Sequence, residues 1–290
     1  MAEMPNAASR LSGHDDLRAL ADLESSIFGK RSPSLWDVPH LSAIERSGGL
    51  LLGVREEGQT AAALQGGLVD LVARFEGHSA YWTVLLSVAP DTRNSGVAQT
   101  LRRAERIVAG DEGVSVVRWT IDPLRSIEAH IAFNKLGAIA TGYVRNLYGE
   151  VDSPVDRGLA TDRLIIEWWT DAPRTLAVCD DGQLPPHYRL GLHEMTVLTQ
   201  TTVHASGQRV MTGYADPNDE RHVLVEVPVD LEVLRNASLD IARAWRIETR
   251  ELFESLFEKG YVVVGFVHEA GRSFHLMERA DRGAVLGRSR

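Results

Sequence analysis

Residues 91–101, DTRNSGVAQTL, stand between an apolar run, AYWTVLLSVA (80–89), and a segment whose apolar residues recur at helical spacing. Pro90 closes the first and Gly96 immediately precedes the second. The stretch reads as the end of a strand, a glycine-bearing turn and the start of a helix. A helix start exposes backbone N–H groups that have no partner inside the helix, together with the positive end of the aligned peptide dipoles, and so suits a phosphate. From the glycine alone, an ordinary strand-to-helix turn is the alternative. Two familiar phosphate motifs are excluded. The Gly-Lys-Ser/Thr ending of a nucleotide P-loop is missing, and one glycine stands where a dinucleotide fingerprint needs three.

On the N-terminal side of this turn, apolar spacing predicts helices over 15–28 and 38–46. A buried strand, GLLLGVR (49–55), then passes through a turn, EEGQT (56–60), to an antiparallel partner over 61–73. On the C-terminal side follow a helix over 97–109, a strand VSVVRWTI (114–121), a helix over 126–136 and two strands, ATGYVRNLYG (140–149) and RLIIEWW (163–169). TDAPRTLAVCDDGQLPP (170–186), with three prolines, reads as a boundary loop. Beyond it the patterns predict a strand pair near 192–203, a strand HVLVEVPV (222–229), a long helix over 239–259 stopped by Gly260, and strands YVVVGFV (261–267) and RSFHLME (272–278). The expected organisation is a first domain over 1–172 and a smaller α/β domain over 173–290.

Composition narrows the function classes. The 290 residues are 44% hydrophobic, enough for one large core or two smaller ones. Against 40 acids stand 31 lysines and arginines, a formal charge of -9 that repels nucleic acid and anionic membranes, so neither is expected as a partner. A single cysteine, Cys179, excludes a disulfide framework and cysteine-based zinc sites, and no metal is expected. With no signal-like segment and no apolar run of membrane-spanning length, a cytoplasmic protein is the expectation.

The run Arg93, Asn94, Ser95, Gly96, Val97, Ala98 resembles the coenzyme-A-binding motif of the GNAT superfamily of N-acyltransferases, Arg/Gln-x-x-Gly-x-Gly/Ala. The resemblance extends over 15–169, because the order of elements above is the order of that fold. WTIDPLRSIEAHIAFNKLGA (119–138), YVRNLYGE (143–150), TDRLIIEWW (161–169) and AWRIETRELFESLFEKGYVV (244–263) resemble, more narrowly, a little-characterised two-domain branch of predicted acetyltransferases. The resemblance implies an α/β fold, a GNAT-type mixed and mostly antiparallel sheet flanked by helices. It places the coenzyme's pyrophosphate on the backbone amides of Asn94 to Ala98, with Gly96 admitting close approach and Ala98 keeping the helix start small. It places the pantetheine arm along Leu86, Ser87 and Val88, in a strand that splays from its neighbour. A backbone N–H there would polarise the thioester carbonyl, a contact worth about 2.7–4 kcal/mol where such donors have been removed.

The family's usual acid for the departing thiolate is a tyrosine four residues before the glycine ending the fourth helix, and here Phe133 holds that place before Gly137. A free thiol ionises near about 8.5, so a thiolate leaves tolerably at neutral pH. Tyr148 or Tyr143 is the candidate replacement acid. Asn134 is a candidate hydrogen-bond partner for the coenzyme, or a solvent-facing helix residue. Candidate bases are Asp122, at a strand end before Pro123, with a loop cap as its alternative, and His130, whose alternative is a packed or surface histidine. Arg145 and Arg163 together suit a carboxylate of the acceptor, or else pair with Glu150, Asp162 or Glu167. Trp82, Trp119, Trp168 and Trp169 read as core. Arg243, Arg246 and Arg250 follow helical spacing and read as a solvated or salt-bridged face rather than a phosphate site.

The expected function is an N-acyltransferase moving an acyl group from acetyl-coenzyme A, or another acyl-coenzyme A, to an amine of a small acceptor, with no tightly bound cofactor. One alternative takes the acyl group from the phosphopantetheine of an acyl carrier protein; another is a sensor that binds acyl-coenzyme A without turnover. The second domain is expected to cover one end of the acceptor cleft or to form a homodimer interface.

Overall fold

A computed structural model describes residues 8–28, 36–55, 63–149, 156, 158–183 and 195–288. The chain forms two compact units, Met1–Trp119 and Thr120–Arg290.

In the first unit β1 (Ala8–Arg10), α1 (Gly13–Phe28), α2 (Val38–Arg46), β2 (Leu50–Val54), β3 (Gly66–Phe75) and β4 (His78–Val88) precede α3 (Val97–Asp111) and β5 (Val116–Ile121). Strands β1 to β4 pair in sequence order, each antiparallel to the next, and β5 joins β4 in parallel. Adjacent glycines in β3 let helices lie on both faces, since successive residues of a strand point to opposite sides. A Cβ on Gly67 would stand 2.3 Å from Leu20 of α1, and a Cβ on Gly66 would stand 2.4 Å from Val97 at the start of α3. Both positions need glycine so that a helix can approach. Leu17, Leu20 and Leu23 of α1 and Leu41 of α2 bury against Leu51 and Val69 to form the core on one face.

The second unit opens with α4 (Ser126–Ala129), which runs on as a π-helical turn through Lys135. Then come β6 (Ile139–Val144), β7 (Arg163–Trp169), α5 (Pro173–Cys179), β8 (Thr196–Val197), β9 (Thr199–Val203), β10 (Arg209–Tyr214), β11 (His222–Val227), α6 (Leu231–Ala237), α7 (Leu239–Glu258), β12 (Tyr261–Glu269), β13 (Arg272–Arg279) and α8 (Arg282–Leu286). The strand order β7-β6-β12-β13-β11-β8 is antiparallel except at β8, and β9 and β10 form a separate hairpin.

Several expectations differ from the structure. The strand expected over 140–149 stops at Val144, because Asn146 takes a left-handed φ of 43° and the chain turns. Asp162 Oδ1 accepts from Asn146 N at 2.9 Å and Thr161 O accepts from Leu147 N at 3.0 Å, so the turn is held by the two residues that precede the next strand. The expected boundary loop carries α5, started by Pro173, whose missing N–H costs nothing in a first helical turn. β3 begins at Gly66, with Ala63 to Gln65 outside it, and Ala61 and Ala62 lie outside the described residues. The turn expected over 56–60 and the start of the strand pair near 192 lie outside the described residues. Residues 120–172 fold in one compact unit with 173–290: β6 pairs with β12 at Ala140 and Val263, and the long α7 ends at a Gly260 with φ 82°.

Candidate functional site

The first unit contains the strand and the turn on which the donor was expected. β4 pairs with β3 along its whole length, from Phe75 opposite His78 to Gly66 opposite Val88. The register slips once, where Val69 faces Leu85 but Asp70 faces Thr83, leaving Val84 as the extra residue of a bulge. With β5 the pairing covers only Ala80, Tyr81 and Trp82 opposite Val116, Val117 and Arg118. Among the described residues β4 therefore continues through Leu86, Ser87 and Val88 with its β3 edge paired and its β5 edge unpaired. Ser87 is buried, and its hydroxyl has no partner in the structure.

Two residues beyond Val88 a short 3-10 turn (Pro90–Thr92) leads into Arg93, Asn94 and Ser95, all exposed. Asn94 and Gly96 take left-handed φ values of 63° and 90°. Ser95 Oγ donates to Thr92 O at 2.6 Å and fixes the turn. Gly96 caps α3 without a side-chain hydrogen bond, and the helix's first backbone bond runs from Thr100 N to Gly96 O. The amides of Val97, Ala98 and Gln99 thus precede the intrahelical ladder. Nothing lies within 4 Å of a Cβ placed on Gly96, so the space over the turn is open to a ligand. A pyrophosphate fits these groups: free amides, an open approach and the positive end of a fifteen-residue helix.

The freed edge of β4 and the turn into α3 follow one another in the order that the sequence resemblance implies. The chain has a GNAT-type fold. Solved structures similar to it are acetyltransferases of that family. The ribosomal-protein-S18-alanine N-acetyltransferase from Escherichia coli is 16% identical over 55% of this chain and 90% of its own, with a TM-score of 0.43. The ribosomal-protein-alanine N-acetyltransferase from Brucella melitensis is 20% identical over 55% and 97%, at 0.43. An IAA acetyltransferase from Bacillus cereus is 15% identical over 55% and 96%, at 0.39. No protein-family model and no curated protein matches the chain.

The remaining expected site residues belong to the second unit, and most are engaged there. Asp122 is buried; its Oδ2 accepts from Arg246 Nη2 at 2.5 Å, its Oδ1 accepts from Leu124 N at 2.8 Å, and Arg163 Nη1 stands 3.8 Å away. Burial pushes its carboxyl up, but Arg246 and then Arg163 outweigh that and hold it below the usual carboxylate range. A base expected there is instead a structural anion. Arg163 binds Asp156 at 3.0 Å and lies over the Tyr148 ring, while Arg145 makes a bidentate pair with Glu254. The expected carboxylate clamp is therefore not assembled: each arginine already holds an acid, and Arg145's is none of the three acids expected from sequence.

Asn134 is likewise committed, because its amide donates to Phe266 O at 2.6 Å and accepts from Phe266 N at 3.0 Å. It ties the π-helical turn to β12 rather than projecting to a ligand. Tyr143 donates to Asp162 at 2.6 Å; burial first, and this bond second, push its phenol far above the ordinary range, which removes it as an acid. Tyr148 keeps an exposed ring with its hydroxyl 2.9 Å from Thr120 Oγ1. His130 is exposed, 3.3 Å from Asn134 Nδ2 through Nδ1, and desolvation followed by Lys135 and His268 lowers its pKa, so its ring is neutral near pH 7. Phe133 is fully buried with its ring edge-on to His275.

Sequence reading missed Arg246 as the partner of Asp122, 124 residues away. Its helical spacing with Arg243 and Arg250 was visible, and a salt-bridged face was the reading favoured, but nothing local shows that one of the three is buried. His275 was missed as well. It lies in β13 with Nε2 2.7 Å from Pro123 O, and burial pushes its pKa down to about 4.

Proposed function

We propose that the chain transfers an acyl group from a coenzyme A thioester to the amine of a small acceptor by direct attack. The observation that carries this reading is the β4 edge left unpaired beyond Trp82, followed within eight residues of Val88 by an open, glycine-capped helix start. A strand edge offers alternating N–H and C=O groups at about 3.4 Å per residue, which matches an extended arm carrying amides. The turn supplies the pyrophosphate end.

In the reaction the acceptor's nitrogen lone pair forms a bond to the thioester carbonyl carbon. The resulting oxyanion is stabilised by a backbone N–H near the Val84 bulge, the C–S bond breaks, and the sulfur leaves as thiolate. Phe133 supplies no proton, and none is required for a leaving group whose conjugate acid ionises near about 8.5. The proton lost by the nitrogen passes to solvent or to a base.

Calorimetric titration with acetyl-coenzyme A, coenzyme A and free phosphopantetheine tests the donor. Binding that depends on the nucleotide supports coenzyme A. Binding of phosphopantetheine alone supports a carrier-protein donor, and tight binding with no thiol release across an amine panel supports a sensor.

A further inference from the structure

The last parallel pair between β4 and β5 is Trp82 with Arg118, and a buried ionic layer touches the very next residue of each strand. Arg102 of α3 donates through Nη1 to Thr83 Oγ1 at 2.9 Å, and its guanidinium carbon lies 3.9 Å over the centre of the Trp119 ring. Glu105, one turn along α3, accepts from the same nitrogen at 2.9 and 2.8 Å and from Thr83 Oγ1 at 3.0 Å. Arg102 and Glu105 are 4% and 0% exposed. Opposite Thr83 on β3 stands Asp70, fully buried beside the Val84 bulge; burial and the neighbouring Glu105 push its carboxyl well above the usual carboxylate range. Within the layer Arg102 and Glu105 form an ion pair shut off from solvent.

A buried ion pair is a poor means of stabilising a core, because desolvating both charges consumes most of their attraction and well-packed apolar residues do as well. This pair therefore calls for another role. We propose that Arg102, held by Glu105, is the strut that keeps β5 from zipping further along β4, and so holds open the strand edge along which the donor's arm lies. Closure would carry Trp119 towards Thr83 through the space the guanidinium fills. It would also strip the guanidinium of the hydroxyl and ring face that replace its water. The arginine is a positioning residue, and this role rests on the donor reading above.

The test uses the paired replacement Arg102→Met with Glu105→Gln, which removes both charges and leaves none unpaired, and compares it with Arg102→Lys, which keeps charge but not the flat stacking fork. In the paired variant acetyl-coenzyme A affinity falls by about tenfold or more while affinity for the 3′-phosphorylated ADP half changes by less than about twofold. Amide hydrogen exchange over Thr83–Val88 slows, as new pairing protects β4. The lysine variant shifts the same way by less. Equal losses for both ligands, or exchange over Thr83–Val88 that stays the same or quickens, overturn the proposal. If the unaltered protein binds no acetyl-coenzyme A, the donor reading fails, and the exchange measurement alone decides whether Arg102 is a strut.

Discussion

Two regions of the molecule handle polar groups in opposite ways. At the proposed donor elements of the first, the polarity is main-chain and, among the described residues, unspent: the β5-side edge of β4 past Trp82 and the first amides of α3. Around Asp122 and Asp162 in the second, the polarity is side-chain and mutually consumed. Asp122 meets Arg246 and Arg163, Asp162 takes both Arg250 and the Tyr143 hydroxyl, and Glu254 takes Arg145. Recognition by backbone needs only a glycine and an interrupted ladder, whereas a satisfied ionic network gives a rigid shape and leaves little free charge for a ligand.

The contrast breaks most visibly at Arg246. Replacing it with methionine leaves buried Asp122 only the more distant Arg163 as a countercharge, and unfolding by denaturant should show a loss of about 3 kcal/mol, which pairing it with Asp122→Leu largely restores. A loss confined to turnover, with stability intact, would return Asp122 to the role of base.

His275 gives the next effect. Its folded pKa of about 4 lies below the unfolded value of about 6.5, so the unfolded chain binds more protons between those values and stability falls as pH drops through that window. The fall should amount to about 3 kcal/mol, and His275→Phe should flatten it in thermal melts from pH 7 to 4.

Gly96→Glu sharpens the donor side. A side chain at φ 90° is strained and its charge opposes the pyrophosphate, so acetyl-coenzyme A affinity should fall by about tenfold or more while stability drops only about 1 kcal/mol. Unchanged affinity in calorimetry would remove the turn from the site.

The smallest effect probes Asp70, the buried acid that sets the first unit's interior apart from its open edge. Its folded pKa is raised, so the folded state binds more protons than the unfolded one, and stability falls as pH rises above about 3.9. Asp70→Asn should melt higher than the parent at pH 8, with the advantage fading below about pH 4. No difference between the two pH values would place a charged carboxylate there instead.

The features legible in the chain alone were periodic and local. Alternating and helical spacings placed β2, β4, β5, β7, α3 and α7 close to where they lie, and Gly96 marked the turn that starts α3, because strand ends, positive φ and helix caps are set by a few adjacent residues. Only the tertiary structure decided what each charged side chain does. Arg145 could be read as a ligand clamp until Glu254, 109 residues on, was seen to hold it, and Asn134 as a coenzyme contact until Phe266 took both ends of its amide. The fold also decided that β6 should join β12, so that 120–172 and 173–290 share one unit. Backbone conformation is chosen by neighbours in the chain, but the partner of a buried charge is chosen by whichever opposite charge folding brings within reach, and sequence spacing holds no record of that distance.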